Sequence, residues 1–459
     1  MTELSEPSEQ TAGAAEQPRW RLIGPGIVVA ATGVGAGYLV ATLIAGSRFG
    51  YTLLWAAVIG CLVKIGLAEA VGRWHLATGE TMYSGWRSLG RWTSWYFGPY
   101  IVVWGFVYGA TAMSAVALPL AALFGGELIW WAIGAGILGL VVVWFGRYGV
   151  FEKIIAVLTG VTVVTVVGLA MLTLPHIPGL LSGLLPTLPS GSVVYTLGLI
   201  GGVGGTITMA TCGYWVNAKG WRDVRWLRVM RVDNTVAYLT TGIFVIAMLV
   251  VGVELLYSAN IALSSGDKGL LQLDTVLAQR YGPVIATVFL LGFFAVSFSS
   301  VLGVWNGVSL MFADFVRGRG LGRRSGEATA STDVEQIRRS IPFRGYLLWL
   351  TFPPIVLLLF DKPFAIVIAY GVFGALFMPF LAITLLWLLN SRLVPEKFRS
   401  GWLSNAVLAA AGVLFLFPRG ARGRRLVLRP DPDRRYSSGV NSGFPWGMRT
   451  SHSVWWIRV

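Results

Sequence analysis

The chain has 459 residues, of which 55% are hydrophobic and only 12% charged, with a mean hydropathy of +0.69. Soluble domains of this size carry more charge, and the apolar residues here fall in runs of about 18 or more, each enough to cross about 30 Å of hydrocarbon. The net charge of +15 is no footprint of nucleic acid, because the arginines sit between apolar runs, where they read as a topology signal.

Residues 1–21 hold Glu3, Glu6, Glu9 and Glu16 among Ser, Thr, Ala and Gln. With no apolar core segment, the stretch reads as a disordered cytoplasmic tail and not as a signal peptide. Eleven spans follow, at 22–47, 51–72, 97–124, 128–146, 152–174, 194–217, 234–257, 281–314, 345–361, 363–391 and 401–417. An N-terminus inside the cell places 22 Lys and Arg residues in cytoplasmic segments against four outside (Arg48, Lys268, Arg280, Lys362), the C-terminal tail excluded. The positive-inside rule selects that orientation, with the plasma membrane as the expected location. Residues 418–459 dissent. They carry nine arginines on what an odd span number makes the outer side, and their Pro, Ser and Gly content reads as a solvated, irregular basic tail.

The first span contains Gly33-Val34-Gly35-Ala36-Gly37. Three glycines at alternate positions each cost a helix roughly 1 kcal/mol relative to alanine. Inside a bilayer, a helix broken there survives only where neighbouring protein or a polar cavity satisfies the freed backbone groups. A second interruption, Gly201-Gly202-Val203-Gly204-Gly205, lies in the sixth span, followed by Met209-Ala210-Thr211-Cys212-Gly213-Tyr214. Paired interruptions in corresponding halves mark the midplane site of a secondary transporter. The candidate substrate-binding residues are therefore Gly33, Gly35, Ala36, Gly37, Tyr38, Met209, Thr211 and Cys212. Close helix packing is the plain alternative for Gly33 and Gly37, a G-xxx-G pair, and apolar filling for Met209 and Cys212.

Lys64, near the middle of the second span, joins that set. Ala57, Gly60, Cys61, Lys64 and Ala68 form a small-residue stripe opposite Trp55, Val58, Leu62 and Ile65, so the ammonium faces protein and not lipid. A charge buried in a membrane is a functional candidate. It would replace a coupling cation, neutralise an anionic substrate or carry a proton; otherwise it bonds the carbonyl ends of broken helices or snorkels toward Glu69. Ser297, Ser299 and Ser300 in the eighth span line the cavity or bond backbone carbonyls. No disulfide framework is readable from Cys61 and Cys212, which lie in apolar runs, and His75, His176 and His452 have no metal-ligand spacing.

The order of motifs resembles the Nramp family of metal transporters over roughly residues 20–417. Gly24-Pro25-Gly26 opens the first span and Ala45-Gly46, then Phe49-Gly50-Tyr51-Thr52-Leu53-Leu54-Trp55, closes it. Lys64 to Thr81, Arg231-Val232-Asp233-Asn234-Thr235 and Ser297-Phe298-Ser299-Ser300 continue the likeness. The resemblance implies an all-α polytopic protein with a leucine-transporter-like 5+5 inverted repeat and broken first and sixth helices. Its domains are 1–21, a transporter core at 22–417 (repeats about 22–174 and 194–391, with an extra helix 401–417), and 418–459. It also implies transport of a divalent metal with no cofactor and no enzymatic activity.

The family's Asp-Pro-Gly-Asn break falls on Gly35-Ala36-Gly37-Tyr38, and only the central glycine remains. Its Met-Pro-His motif falls on Met209-Ala210-Thr211, leaving Met209 as the one candidate metal ligand. The family's acidic residues in the third span fall on Trp104 and Thr111. None of the 21 acidic residues lies at either break, although hard divalent ions favour oxygen ligands with carboxylate charge. Two functions follow. The first is an Nramp-like secondary transporter of a small ion, by family a divalent metal cation. The second is a transporter of a small organic or anionic solute with Lys64 as fixed countercharge. No His/Asp/Glu cluster or nucleophile motif supports a membrane enzyme.

Overall fold

A computed structural model describes residues 24–33, 35–173, 175–202, 205, 207–221, 223–257, 267–320, 334–360 and 363–416. The N-terminal and C-terminal tails of the sequence analysis lie outside these residues. Every element among them is helical. The first span is two helices, α1 (Pro25–Gly33) and α2 (Ala36–Phe49); α3 (Leu54–Thr78) is the second. Gly50, at φ +59°, makes the turn between α2 and α3, a left-handed conformation that glycine adopts without a Cβ penalty. The left-handed Gly79 (φ +71°) then ends α3, and Thr81 caps α4 (Met82–Ser88) by accepting from the Ser84 N–H at 3.2 Å.

The next spans are α5 (Arg91–Phe124), α6 (Leu128–Phe145) and α7 (Tyr148–Leu172), followed by the short α8 (Ile177–Ser182). The sixth span is broken into α9 (Val193–Gly202), α10 (Ile207–Ala210) and α11 (Cys212–Ala218). Then come α12 (Leu227–Gly252), α13 (Asp267–Tyr281), α14 (Pro283–Gly320) and α15 (Val334–Arg338). The chain closes with α16 (Ile341–Thr351), α17 (Ile355–Leu358), α18 (Pro363–Leu389) and α19 (Trp402–Leu416). Among the described residues, seven helices are long and apolar enough to cross a membrane; the first and sixth spans are broken, and α19 is short. Two starts move outward: α5 begins at Arg91 where 97 was expected, and α12 at Leu227 where 234 was expected. Arginine-bearing turns continue a helix past its apolar stretch, because hydropathy marks the hydrocarbon and not the helix end.

Burial sorts the helices. The apolar window of α5 is 78% buried, whereas those of α6 and α7 are 28% buried, so the first is central and the others peripheral. The outward side chains stay apolar, as Trp130, Phe145 and Val164 show at 68%, 77% and 73% exposure. A surface of that kind suits lipid and not water. Helix α3 has the predicted faces: Lys64, Ala57 and Ala68 are fully buried, while Leu62 is 60% exposed.

The loops read as cytoplasmic meet one another. Arg73 and Arg231 both pair with Glu69 (3.3 and 2.8 Å), and Arg73 reaches the Ser404 hydroxyl at 2.8 Å. Lys219 pairs with Glu152, and Arg338 donates to the carbonyl of Val143 at 3.0 Å. The loops read as external do the same: Tyr51 donates to Glu254, which also accepts from the His176 N–H at 3.1 Å, and Arg48 donates to Tyr195 at 2.8 Å. Glu69 is thus committed to two arginines. The reading in which Lys64 snorkels toward Glu69 does not hold, because the guanidinium groups already occupy that carboxylate.

Candidate substrate-binding site

The two helix breaks meet. Gly205, in the sixth span's interruption, sits at φ +77°, and a Cβ placed on it would come within 2.9 Å of Gly33 Cα. Two requirements therefore select glycine there: a left-handed backbone and contact with the other break. Gly35 is extended (φ −91°, ψ 166°) and starts α2. A Cβ on Gly35 would lie 3.1 Å from Ser300 Oγ. Val34, Val203, Gly204 and Thr206 lie outside the described residues, as do the side chains of Ala36, Gly37 and Tyr38.

A helix that stops in mid-protein leaves carbonyls that need donors. At the first break, Ser300 of α14 donates its hydroxyl to Thr32 O at 2.8 Å. Tyr108 of α5 then donates to Ser300 Oγ at 2.7 Å. At the second break the donor is Lys64, fully buried, whose ammonium bonds Gly205 O and lies 3.7 Å from Met378 Sδ of α18. Among the described residues no carboxylate forms an ion pair with it.

Trp104 stacks on Tyr108 (centroids 4.7 Å apart, planes at 8°), and Tyr370 meets Tyr108 edge-on at 5.2 Å. The wall where the third-span carboxylates were sought is therefore aromatic, and Thr111 turns its hydroxyl to Val107 O at 2.9 Å. Met209, Thr211 and Cys212 are buried on the far side of Gly205 from α9. Thr211 separates α10 from α11 in an ordinary right-handed conformation and donates to Thr208 O at 2.6 Å. The described helices of the sixth span stop at Gly202, resume at Ile207 and are interrupted again at Thr211. Among the described residues no three His, Cys, Asp or Glu side chains gather closely enough to hold a metal ion. The donors at the breaks are carbonyls, hydroxyls and a thioether.

The inner end of α1 is anchored separately. The Asp233 carboxylate accepts from the Gly24 and Gly26 N–H groups at 3.1 and 2.6 Å, a charge-assisted cap at a helix N-terminus. Sequence reading placed Asp233 and Ser300 within motifs without assigning their partners; Met378 gave no signal at all.

The sequence pattern described as "Natural resistance-associated macrophage protein-like" matches residues 26–418. The chain belongs to this Nramp-like family. Among curated relatives, the divalent metal cation transporter MntH of Chromohalobacter salexigens is 27% identical over 260 residues, covering 53% of this chain and 59% of that protein. MntH of Aeromonas hydrophila is 27% identical over 341 residues, covering 68% and 78%. A variant of the Eremococcus coleocola manganese transporter superposes with a TM-score of 0.71 at 17% identity, covering 88% of each chain. Mhp1, a nucleobase-cation-symport-1 family transporter, superposes at 0.56 with 14% identity over 86% and 91%. These likenesses show the fold, the leucine-transporter-like helical arrangement with broken first and sixth spans. The family is one of membrane transporters.

Proposed function

We propose that this Nramp-like chain is a secondary transporter that moves a small metal cation across the plasma membrane by alternating access, with the site where the two broken helices meet. One observation carries the reading: Gly33 and Gly205 bring both interruptions together inside a chain whose residues 26–418 match the family. Opposed broken helices at mid-membrane supply backbone dipoles and free carbonyls to a small ion. The transporter core runs over 22–417, its two repeats at about 22–174 and 194–391, with the N-terminus in the cytoplasm and the extra span at 401–417.

Two experiments test this. Purified protein in liposomes should take up Mn2+ saturably, and a flux no greater than in empty liposomes removes the metal reading. A cysteine introduced at Ser325 should be labelled by an impermeant reagent only from the cytoplasmic side, with low background because Cys61 and Cys212 are buried. Labelling from outside intact cells reverses the orientation.

A second reading is favoured by the Lys64 ammonium at the Gly205 carbonyl. A fixed positive charge with no carboxylate ion pair among the described residues suits a small carboxylate-bearing solute, whose anionic group the ammonium would receive. Uptake of an organic acid by the liposomes, lost in Lys64→Ala, selects it.

A further inference from the structure

Lys64 and the second break form a pair that the family resemblance does not supply. The ammonium comes from α3 to a carbonyl 141 positions later and lies beside a thioether 314 positions later. Carbonyl oxygen and thioether sulfur are the donors with which a protein replaces the hydration shell of a metal ion. A buried charge without an opposite partner persists only where such donors solvate it. The ammonium therefore sits as a bound cation would.

The first break differs. Its Thr32 carbonyl is capped by a neutral hydroxyl, itself bonded to Tyr108, a closed arrangement with no charge to exchange. At the second break, Gly205 has a positive φ, and among the described residues the donor to its carbonyl is an ammonium on a flexible four-carbon stem. A divalent ion and that ammonium repel strongly at contact distance in a poorly solvated site, so both cannot occupy the Gly205 carbonyl.

We infer that Lys64 is a tethered cation that occupies the Gly205 carbonyl until an incoming metal cation displaces it. This rests on the metal reading above and makes Lys64 a specificity-determining residue. It sets a threshold that only ions gaining enough from the carbonyl and thioether donors overcome, and it fills the site between cargoes.

The test compares full-length wild type, Lys64→Met and Lys64→Arg for Mn2+ binding by calorimetry in detergent and for Mn2+ uptake in liposomes. Lys64→Met, neutral and of similar length, should bind Mn2+ at least about tenfold more tightly, a change of about 1.4 kcal/mol, with a matching fall in transport KM. Lys64→Arg should bind no more tightly than wild type. Should Lys64→Met fail to fold, Lys64→Gln, which keeps a neutral donor for the Gly205 carbonyl, carries the same expectation. Equal Mn2+ affinity in wild type and the neutral variants overturns the inference alone. Loss of Mn2+ uptake in a folded neutral variant also overturns it, since Lys64 would then be required and not competing. Absence of Mn2+ binding in every form overturns the metal reading and this inference with it.

Discussion

The two breaks solve one problem in different ways. Each leaves a carbonyl end inside the protein, yet the first is capped by Ser300 backed by Tyr108 and the second by the Lys64 ammonium. A neutral hydroxyl contributes about 1 kcal/mol and adds no charge. An ammonium brings a charge whose removal from water is costly unless other groups solvate it. The comparison separates a break stabilised as structure from one where an exchangeable cation sits.

Gly205→Val should have the largest effect. It forces a β-branched residue into a left-handed conformation and against Gly33, costing about 3 kcal/mol or more. Thermal unfolding in detergent checks this, and a wild-type melting temperature would break the claim that the two interruptions touch. Asp233→Asn comes next: it weakens the cap on Gly24 and Gly26, where hydrogen bonds to a charged group contribute about 1.5–3 kcal/mol each. Its melting temperature should fall while Gly205→Val still ranks below it.

Ser300→Ala sharpens the contrast directly. It strips Thr32 O of its donor, while Tyr108 keeps the Ser300 carbonyl at 3.2 Å, and should cost about 1–3 kcal/mol, against about 1 kcal/mol for Tyr108→Phe. If Tyr108→Phe were the more damaging, the first break would depend on the aromatic wall and not on the serine. The smallest effect belongs to Arg231→Gln. Its side chain is 51% exposed although it meets Glu69 at 2.8 Å, so solvent screening should hold the loss to about 1 kcal/mol or less.

Much of the fold was legible because membrane helices are marked by composition. Glycine clusters announced both breaks, and the small-residue stripe on α3 announced that Lys64 faces inward. The partners were not legible. Nothing in local periodicity links Lys64 to Gly205 or Met378, or Ser300 to Thr32, since those pairings depend on how distant helices cross. Glu69 was the nearest carboxylate to Lys64 in sequence, five positions on and so about 140° around the helix at 3.6 residues per turn; it turned to Arg73 and Arg231 instead. The aromatic character at Trp104 could be read from the chain, but its stacking on Tyr108 required the structure.

The central claim is that the second break is closed by Lys64 where the two interruptions meet, and an experimental structure of the full chain in a lipid disc tests it most directly. The account predicts both helices interrupted, Gly205 against Gly33, and the Lys64 ammonium within hydrogen-bonding distance of the Gly205 carbonyl in the metal-free protein. Continuous first and sixth helices, or Lys64 turned away to Glu69, would contradict it.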